Sequence, residues 1–249
     1  MKVLKLFVLL AFLAPTTAGL FAQEKKVALT TFYVNKHIGF DEVGGGAGAV
    51  AAISSLMEDP NFNLQPVLDN FYKTFQEDFV PQFPFLLLPE EEVLQNPAYL
   101  AYEGRFNEEE DADRNIFLQR FLTAEGYKPL QESLFNNEKS NQMQMVEMYK
   151  ETADGVMFVS MGYEFVKKMV PFTAGVRAYV RIKIWNKEGK KVVTINESAT
   201  SDKSVAMVGG IPVMDPAKLL PMCEDASAEL LEDLQKRLKK ITKKAAKKL

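Results

Sequence analysis

Residues 153–199 alternate apolar and polar side chains more regularly than any other part of the chain, and that period commits the protein to a sheet-based fold. Within 176–185 the even positions are Val176, Ala178, Val180, Ile182 and Ile184, and the odd positions are Arg177, Tyr179, Arg181, Lys183 and Trp185. Successive side chains of a strand point to opposite faces, so this segment has one apolar face and one basic, aromatic face. Asn186-Lys187-Glu188-Gly189 supplies a turn in which Gly189 is free to take positive φ. Residues 191–197 resume extended character and return the chain as the hairpin partner. With the even positions under helices, the five odd residues are expected to face water or a partner.

The amino terminus reads as a leader outside the domain. Lys2 and Lys5 precede an apolar run over 6–14, small residues follow, and Ala22-Gln23 offers a cleavage point, the layout of a secretory signal peptide. That run of nine residues is short of the ~20 that a membrane span needs. The expected product is exported, periplasmic or associated with the outer envelope. It is expected to carry no lipid anchor, because no cysteine lies at the cleavage point. Residues 23–241 read as one domain and 242–249 as a basic carboxy-terminal tail. A chain this long buries a sizeable core without cross-links. Cys223 is the sole cysteine, so no intrachain disulfide forms, which suits a bacterial rather than a eukaryotic secreted protein.

Net charge is −3, unevenly spread, with nine carboxylates within 90–113 and, from Lys236 onward, eight Lys or Arg and no acid. That polarity argues against a nucleic-acid binder with one broad basic face. Along the chain, 27–34 reads as a strand, 35–43 as a loop, and 49–57 as a short helix ended before Pro60. Leu64, Leu68, Phe71, Phe75 and Phe79 recur at helical spacing and predict a strong amphipathic helix. Residues 85–88 form a short buried strand, and 90–94 one helical turn before Asn96-Pro97 breaks it. Residues 100–133 read as an insertion with a helix around Phe117 and Phe121 that ends near Gly126.

A helix over 141–152 leads through Ala153-Asp154-Gly155 into a strand at 156–159. After the hairpin, 201–213 reads as a loop. Asp215-Pro216 then starts a long final helix with a stripe of Leu220, Cys223, Ser227, Leu230, Leu234, Leu238 and Ile241. Its acids lie early and its lysines late, which complements the helix dipole. The resulting order β-α-β-α-β-β-α implies an α/β fold with a mixed sheet and helices packed on it.

That order, together with the V-A-L-x-x-F strand at Val27–Phe32, the helix-then-strand at 64–88, the A-D-G-V entry at Ala153–Val156 and the hairpin closed by N-K-E-G, resembles a group of bacterial envelope domains. The group includes the amino-terminal domain of TolB, the lipoprotein activators of penicillin-binding proteins and the curli-export lipoprotein. The lipidation cysteine common among those proteins is missing here. The resemblance implies a non-enzymatic binding or assembly role, and it transfers no functional residue.

No catalytic set stands out. His37 is the sole histidine, no G-x-S-x-G elbow exists, and no multi-histidine metal set is possible, so an ordinary loop histidine is expected. Cys223 falls on an apolar stripe and reads as a core residue. Gly46-Ala47-Gly48-Ala49-Val50-Ala51 fits G-x-G-x-x-A, but no strand directly precedes it and no second strand follows at the right distance. The segment Gly44, Gly45, Gly46 and Gly48 is instead expected to be flexible or tightly packed, and a candidate partner contact. Glu90, Glu91 and Glu92, and the acids at 108–111, lack calcium-loop spacing. Lys239, Lys240, Lys243, Lys244, Lys247 and Lys248 recur in pairs every four residues, as a solvated helix end or a contact for anionic lipid or polymer.

The expected function is therefore that of a non-enzymatic envelope module, without a cofactor, that binds another envelope protein through the odd face of 176–185 or the glycine segment. The alternatives are a carboxylate-dependent envelope hydrolase, which needs two acids about 5–10 Å apart, and a small-molecule or lipid carrier, which needs an enclosed apolar pocket.

Overall fold

The alternating stretch lies at the centre of one mixed sheet. The structure is a computed structural model that describes residues 24–44, 47–105, 114–243 and 248–249. The expected leader, Gly45, Gly46, the acids at 108–111, Lys244 and Lys247 lie outside the described residues. The strands are β1 (Lys26–Gly39), β2 (Leu86–Leu87), β3 (Phe121–Thr123), β4 (Gly155–Lys167), β5 (Thr173–Asn186), β6 (Lys191–Thr200), β7 (Val205–Val208) and β8 (Ile211–Pro212). β4 runs parallel to β1 and antiparallel to β5. β5 pairs with β6 along most of its length and with β7 at Thr173 and Ala174. The short β2 and β3 flank the outer edge of β1.

The helices are α1 (Ala47–Glu58), α2 (Gln65–Thr74), α3 (Glu90–Leu94), α4 (Pro97–Ala101), α5 (Arg114–Leu118), α6 (Asn141–Tyr149) and α7 (Pro216–Thr242). A parallel β1–β4 pair demands a crossover, and here the crossover carries α1 to α6. The class is α/β with a mixed sheet, as the alternation and the helical periods predict.

One face of the sheet is sealed. Val176, Ala178, Val180, Ile182 and Ile184 are fully buried together with Leu68, Phe71, Phe75 and Phe79 and the apolar stripe of α7. Burial of each larger side chain contributes about 1.5–3 kcal/mol. Past Thr74 the second helix widens into a π turn over Phe75–Phe79. That widening keeps successive aromatics under the sheet, with the Phe32 ring 4.5 Å from Phe71 and 5.3 Å from Phe75. Asp215 caps α7 by accepting from the Ala217 N–H at 3.1 Å, with Pro216 in the first turn.

Four segments differ from their sequence reading. The buried strand expected at 85–88 shortens to Leu86–Leu87, with Leu86 exposed, because it pairs only with the end of β1. β1 does not stop at Val34 but continues to Gly39, because a register shift between Val34 and Ile38 absorbs the polar Asn35, Lys36 and His37. The helix expected to end near Gly126 ends at Leu118, and Phe121 begins β3, paired to Asn35 of β1. Residues 201–213 are not a loop throughout. Gly209 and Gly210, at φ 60° and 84°, turn β7 into β8, the geometry a two-residue hairpin requires. At the carboxy terminus the Asn186 side-chain amide donates to the Lys248 carbonyl at 3.3 Å, and Leu249 packs against the main core.

Candidate functional site

The second face of the sheet is covered at one end and open at the other. Strand pairing lays the side chains out in rows. Ala28, Val156 and Trp185 form the first row, Thr31, Phe158 and Lys183 the next, Tyr33, Ser160, Arg181 and Asn196 the third, and Gly162 and Tyr179 follow, then Glu164 and Arg177. α3, α4 and α6 close over the first row with Val93, Tyr99, Met145, Val146 and Tyr149.

Trp185 therefore does not face water or a partner, as its odd position predicted. It is 1% exposed and stands edge-on to Phe158 at 4.9 Å, with the Lys191 ammonium 6.0 Å from its ring. The physical reason is that the crossover supplies a second apolar layer, which a period-2 pattern on one strand cannot reveal.

Beyond that layer, residues 127–136 run as a strap along the rim of the open half. Thr31 ties it to the sheet, since its hydroxyl donates to the Lys128 carbonyl and accepts from the Leu130 N–H at 3.0 Å. The Tyr99 hydroxyl donates to the Thr30 carbonyl at 2.9 Å and accepts from the Lys128 N–H at 3.0 Å. Asn141, buried at the start of α6, holds the other side. Its amide donates to the Gln131 and Arg105 carbonyls, both at 2.8 Å, while its oxygen accepts from the Tyr102 hydroxyl and the Arg105 N–H, both at 2.7 Å.

Strap and sheet enclose a cleft of about 230 Å³ lined by Thr31, Tyr33, Ser160, Arg181 and Lys183 from the strands and by Leu130, Glu132 and Leu134 from the strap. Lys183 and Lys191 both donate to Glu132, the latter at 2.6 Å. Burial alone would raise the Glu132 carboxyl, but the two lysine hydrogen bonds outweigh it and hold the group below the usual carboxylate range. Arg177 is likewise neutralised, by Glu42 at 2.6 Å and Glu164 at 3.0 Å. Arg181 differs. Its guanidinium lies 4.6 Å from the Tyr179 ring centroid, it is exposed, and no carboxylate pairs with it among the described residues.

Tyr179 is itself seated on Gly162, where an added Cβ would come within 2.6 Å of its hydroxyl. The glycine thus lets the ring lie flat and carry the guanidinium. Burial pushes the Tyr33 phenol up to about 12, with the Ser160 hydrogen bond pulling the other way, so Tyr33 stays a neutral hydroxyl at the cleft wall. Together these groups present one uncompensated cation, two hydroxyls and an apolar rim, which is chemistry for holding an anion such as a carboxylate.

Of the five odd residues of 176–185, the structure brings Arg181 and Lys183 into the cleft and Tyr179 under Arg181, pairs Arg177 internally, and buries Trp185. Tyr33, Ser160 and Glu132 were missed. Ser160 and Tyr33 share the parity of the face once β1 and β4 are paired, whereas Glu132 carries no sequence signal. Gly44, at φ 79°, is exposed, and Gly48 opens α1 with Ile211 Cδ1 3.3 Å from where its Cβ would sit. Neither borders the cleft. Lys239, Lys240, Lys243 and Lys248 are exposed at the far end of α7 and beyond.

His37 lies within β1 rather than a loop; burial and the nearby Arg120 charge push its imidazole down, and no hydroxyl or carboxylate bonds to its ring among the described residues. Cys223 is buried, and desolvation pushes its thiol well up, away from the thiolate. The Tyr163 hydroxyl and Ser227 hydroxyl lie 2.8 Å apart inside the sealed core. No group of three or more His, Cys, Asp or Glu positioned for a metal ion occurs among the described residues. No helix among them is long and apolar enough to cross a membrane.

No protein-family model matches the chain. No curated protein matches it either. Among solved structures the chain is similar to a hypothetical protein of Chlamydia trachomatis, at 10% identity over 86% of this chain and 98% of that one, with a TM-score of 0.31.

Proposed function

We propose that this chain is an exported, non-enzymatic binding module of a bacterial envelope, and that it engages an envelope protein partner through the open half of the second sheet face. The observation that carries this reading is Arg181. Among the described residues no carboxylate pairs with it, and it sits over Tyr179 at the mouth of a cleft that already holds the Tyr33 and Ser160 hydroxyls. A guanidinium in that setting favours a carboxylate-bearing segment, held by paired N–H donors.

The leader-like layout of the sequence at 1–22 supports the compartment, and the resemblance to TolB-like and related envelope domains supports a binding role. The cleft favours binding over hydrolysis. Glu132 is the one carboxylate lining it among the described residues, and two lysines already hold that group in an ion pair.

The test is site-specific photocrosslinking in producing cells. A photoreactive side chain at Asn196, which is exposed and pairs with Arg181 across the sheet, is expected to give a discrete protein adduct that Arg181→Glu abolishes. The same probe at Glu229, on the exposed side of α7, is expected to give none. Equal adducts from both positions, or an Asn196 adduct that survives Arg181→Glu, would refute the assignment.

A further inference from the structure

The β4–β5 and β7–β8 hairpins end side by side, and their tips are apolar and uncovered. Met169 is 102% exposed, Phe172 82%, Val208 69% and Val170 63%, in a protein that otherwise buries most of its large apolar side chains. Contiguous exposed apolar surface of this kind marks a place of contact rather than chance. The tip is also built rather than slack. The Met207 N–H donates to the Phe172 carbonyl at 2.8 Å, joining the two hairpins, and the Thr173 hydroxyl donates to the Val170 carbonyl at 2.7 Å. Phe172 adopts φ 58°, a left-handed conformation that a bulky residue rarely takes, and in this turn its ring stays outside the core.

The charge around the tip chooses the occupant. Residues 165–176 and 203–214, which form both hairpin ends, contain three lysines and no acid. Lys167 is exposed beside the apolar group, while Lys168 turns back to donate to the Ser201 carbonyl at 2.5 Å and Lys203 donates to the Pro221 carbonyl of α7 at 3.2 Å. A groove of about 440 Å³ between the hairpins is lined by Lys167, Lys168, Val170, Phe172 and Met207, with no carboxylate among the described residues.

We infer that this double-hairpin tip inserts into the interface of an anionic lipid bilayer, its methionine, valine and phenylalanine side chains below the headgroups and Lys167 among them. Apolar area entering the interface and basic residues attracted to anionic headgroups are the two terms that drive such peripheral binding. The inference is independent of the proposed partner cleft, because it uses none of the cleft residues.

The basic tail offers a rival surface, but it lies at the wrong end. Lys248 and Leu249 dock beside Gly155 and Asn186, whereas the tip follows Lys167, and the intervening length of β4 spans roughly 40 Å at strand rise. One flat membrane therefore meets the tip or the tail, and the tip is the end that carries apolar side chains to bury.

The experiment is vesicle co-sedimentation of the chain from Gln23 onward, so that the apolar leader does not itself bind lipid. The expected result is partition onto phosphatidylglycerol–phosphatidylethanolamine vesicles, reduced by salt and about tenfold weaker on phosphatidylcholine vesicles. Met169→Asp with Phe172→Asp is expected to weaken it by about tenfold or more, with an unchanged melting temperature because both side chains are exposed. Lys239→Gln with Lys240→Gln is expected to leave it intact.

A second readout uses Phe172→Trp, whose emission is expected to shift to the blue with anionic vesicles while Trp185 stays buried. No partition, equal partition onto both lipids, binding retained by the double Asp variant, or binding lost with the tail lysines would each overturn the inference. So would a Phe172-dependent dimer that forms in place of lipid binding.

Discussion

At the scale of single residues, the two ends of β5 behave oppositely although they share parity. Trp185 is sealed between Phe158 and α6, so Trp185→Ala is expected to cost about 3–5 kcal/mol of unfolding free energy. Arg181→Gln, at an exposed position, is expected to stay within about 0.5 kcal/mol of the parent. Urea denaturation measures both, and similar losses in the two variants would contradict the division of the face.

Glu132 sets a pH dependence. Its folded carboxyl is held below the unfolded value, so it stabilises the protein above the unfolded range, and that contribution is lost as pH falls through the folded value. Glu132→Gln is therefore expected to be less stable than the parent at neutral pH and to show a smaller loss on acidification below about pH 4. An unchanged acid limb would show that the two lysine contacts contribute nothing. None of this was readable from 100–133, where acids and apolar residues mix without a period. Glu132 becomes meaningful only when the strap lays it against Lys183 and Lys191.

At the scale of elements, what was legible in sequence is what a local period encodes. The alternation of 176–185, the aromatic stripe from Leu64 to Phe79 and the capped start of α7 all appear where their spacing placed them. Elements set by pairing were not legible. β3 forms because β1 presents a free edge, and β1 outlasts its apolar run because a bulge lets Asn35, Lys36 and His37 remain in the strand. The β7–β8 hairpin was signalled by Gly209-Gly210 between apolar residues, a cue that a loop reading passes over.

The strap is the element on which the site depends, and Asn141 is its anchor. Asn141→Ala would leave the Gln131 and Arg105 carbonyls and the Tyr102 hydroxyl short of a partner. A loss of about 1–3 kcal/mol is expected, with faster amide exchange over 127–136 than in β4. Uniform acceleration across the sheet would instead mean that the strap has no independent motion.

At the scale of the whole molecule, the sheet separates two jobs. One face, closed by α1, α2 and α7, carries most of the core. The other is half closed by α3, α4 and α6, and the open remainder gathers Tyr33, Ser160, Arg181 and the strap into one cleft. A single strand could announce that its odd positions were basic and aromatic. It could not announce where the covering layer stops, because that boundary is drawn by a crossover more than a hundred residues long.

The proposed recognition at that boundary is read directly by titrating the isotopically labelled chain with a short Glu-rich peptide while following backbone amide shifts. Saturable shifts are expected, confined to Ser160, Arg181, Asn196 and the strap, and absent in Arg181→Gln. Shifts that spread along α7 and its lysines, or that persist without Arg181, would contradict it.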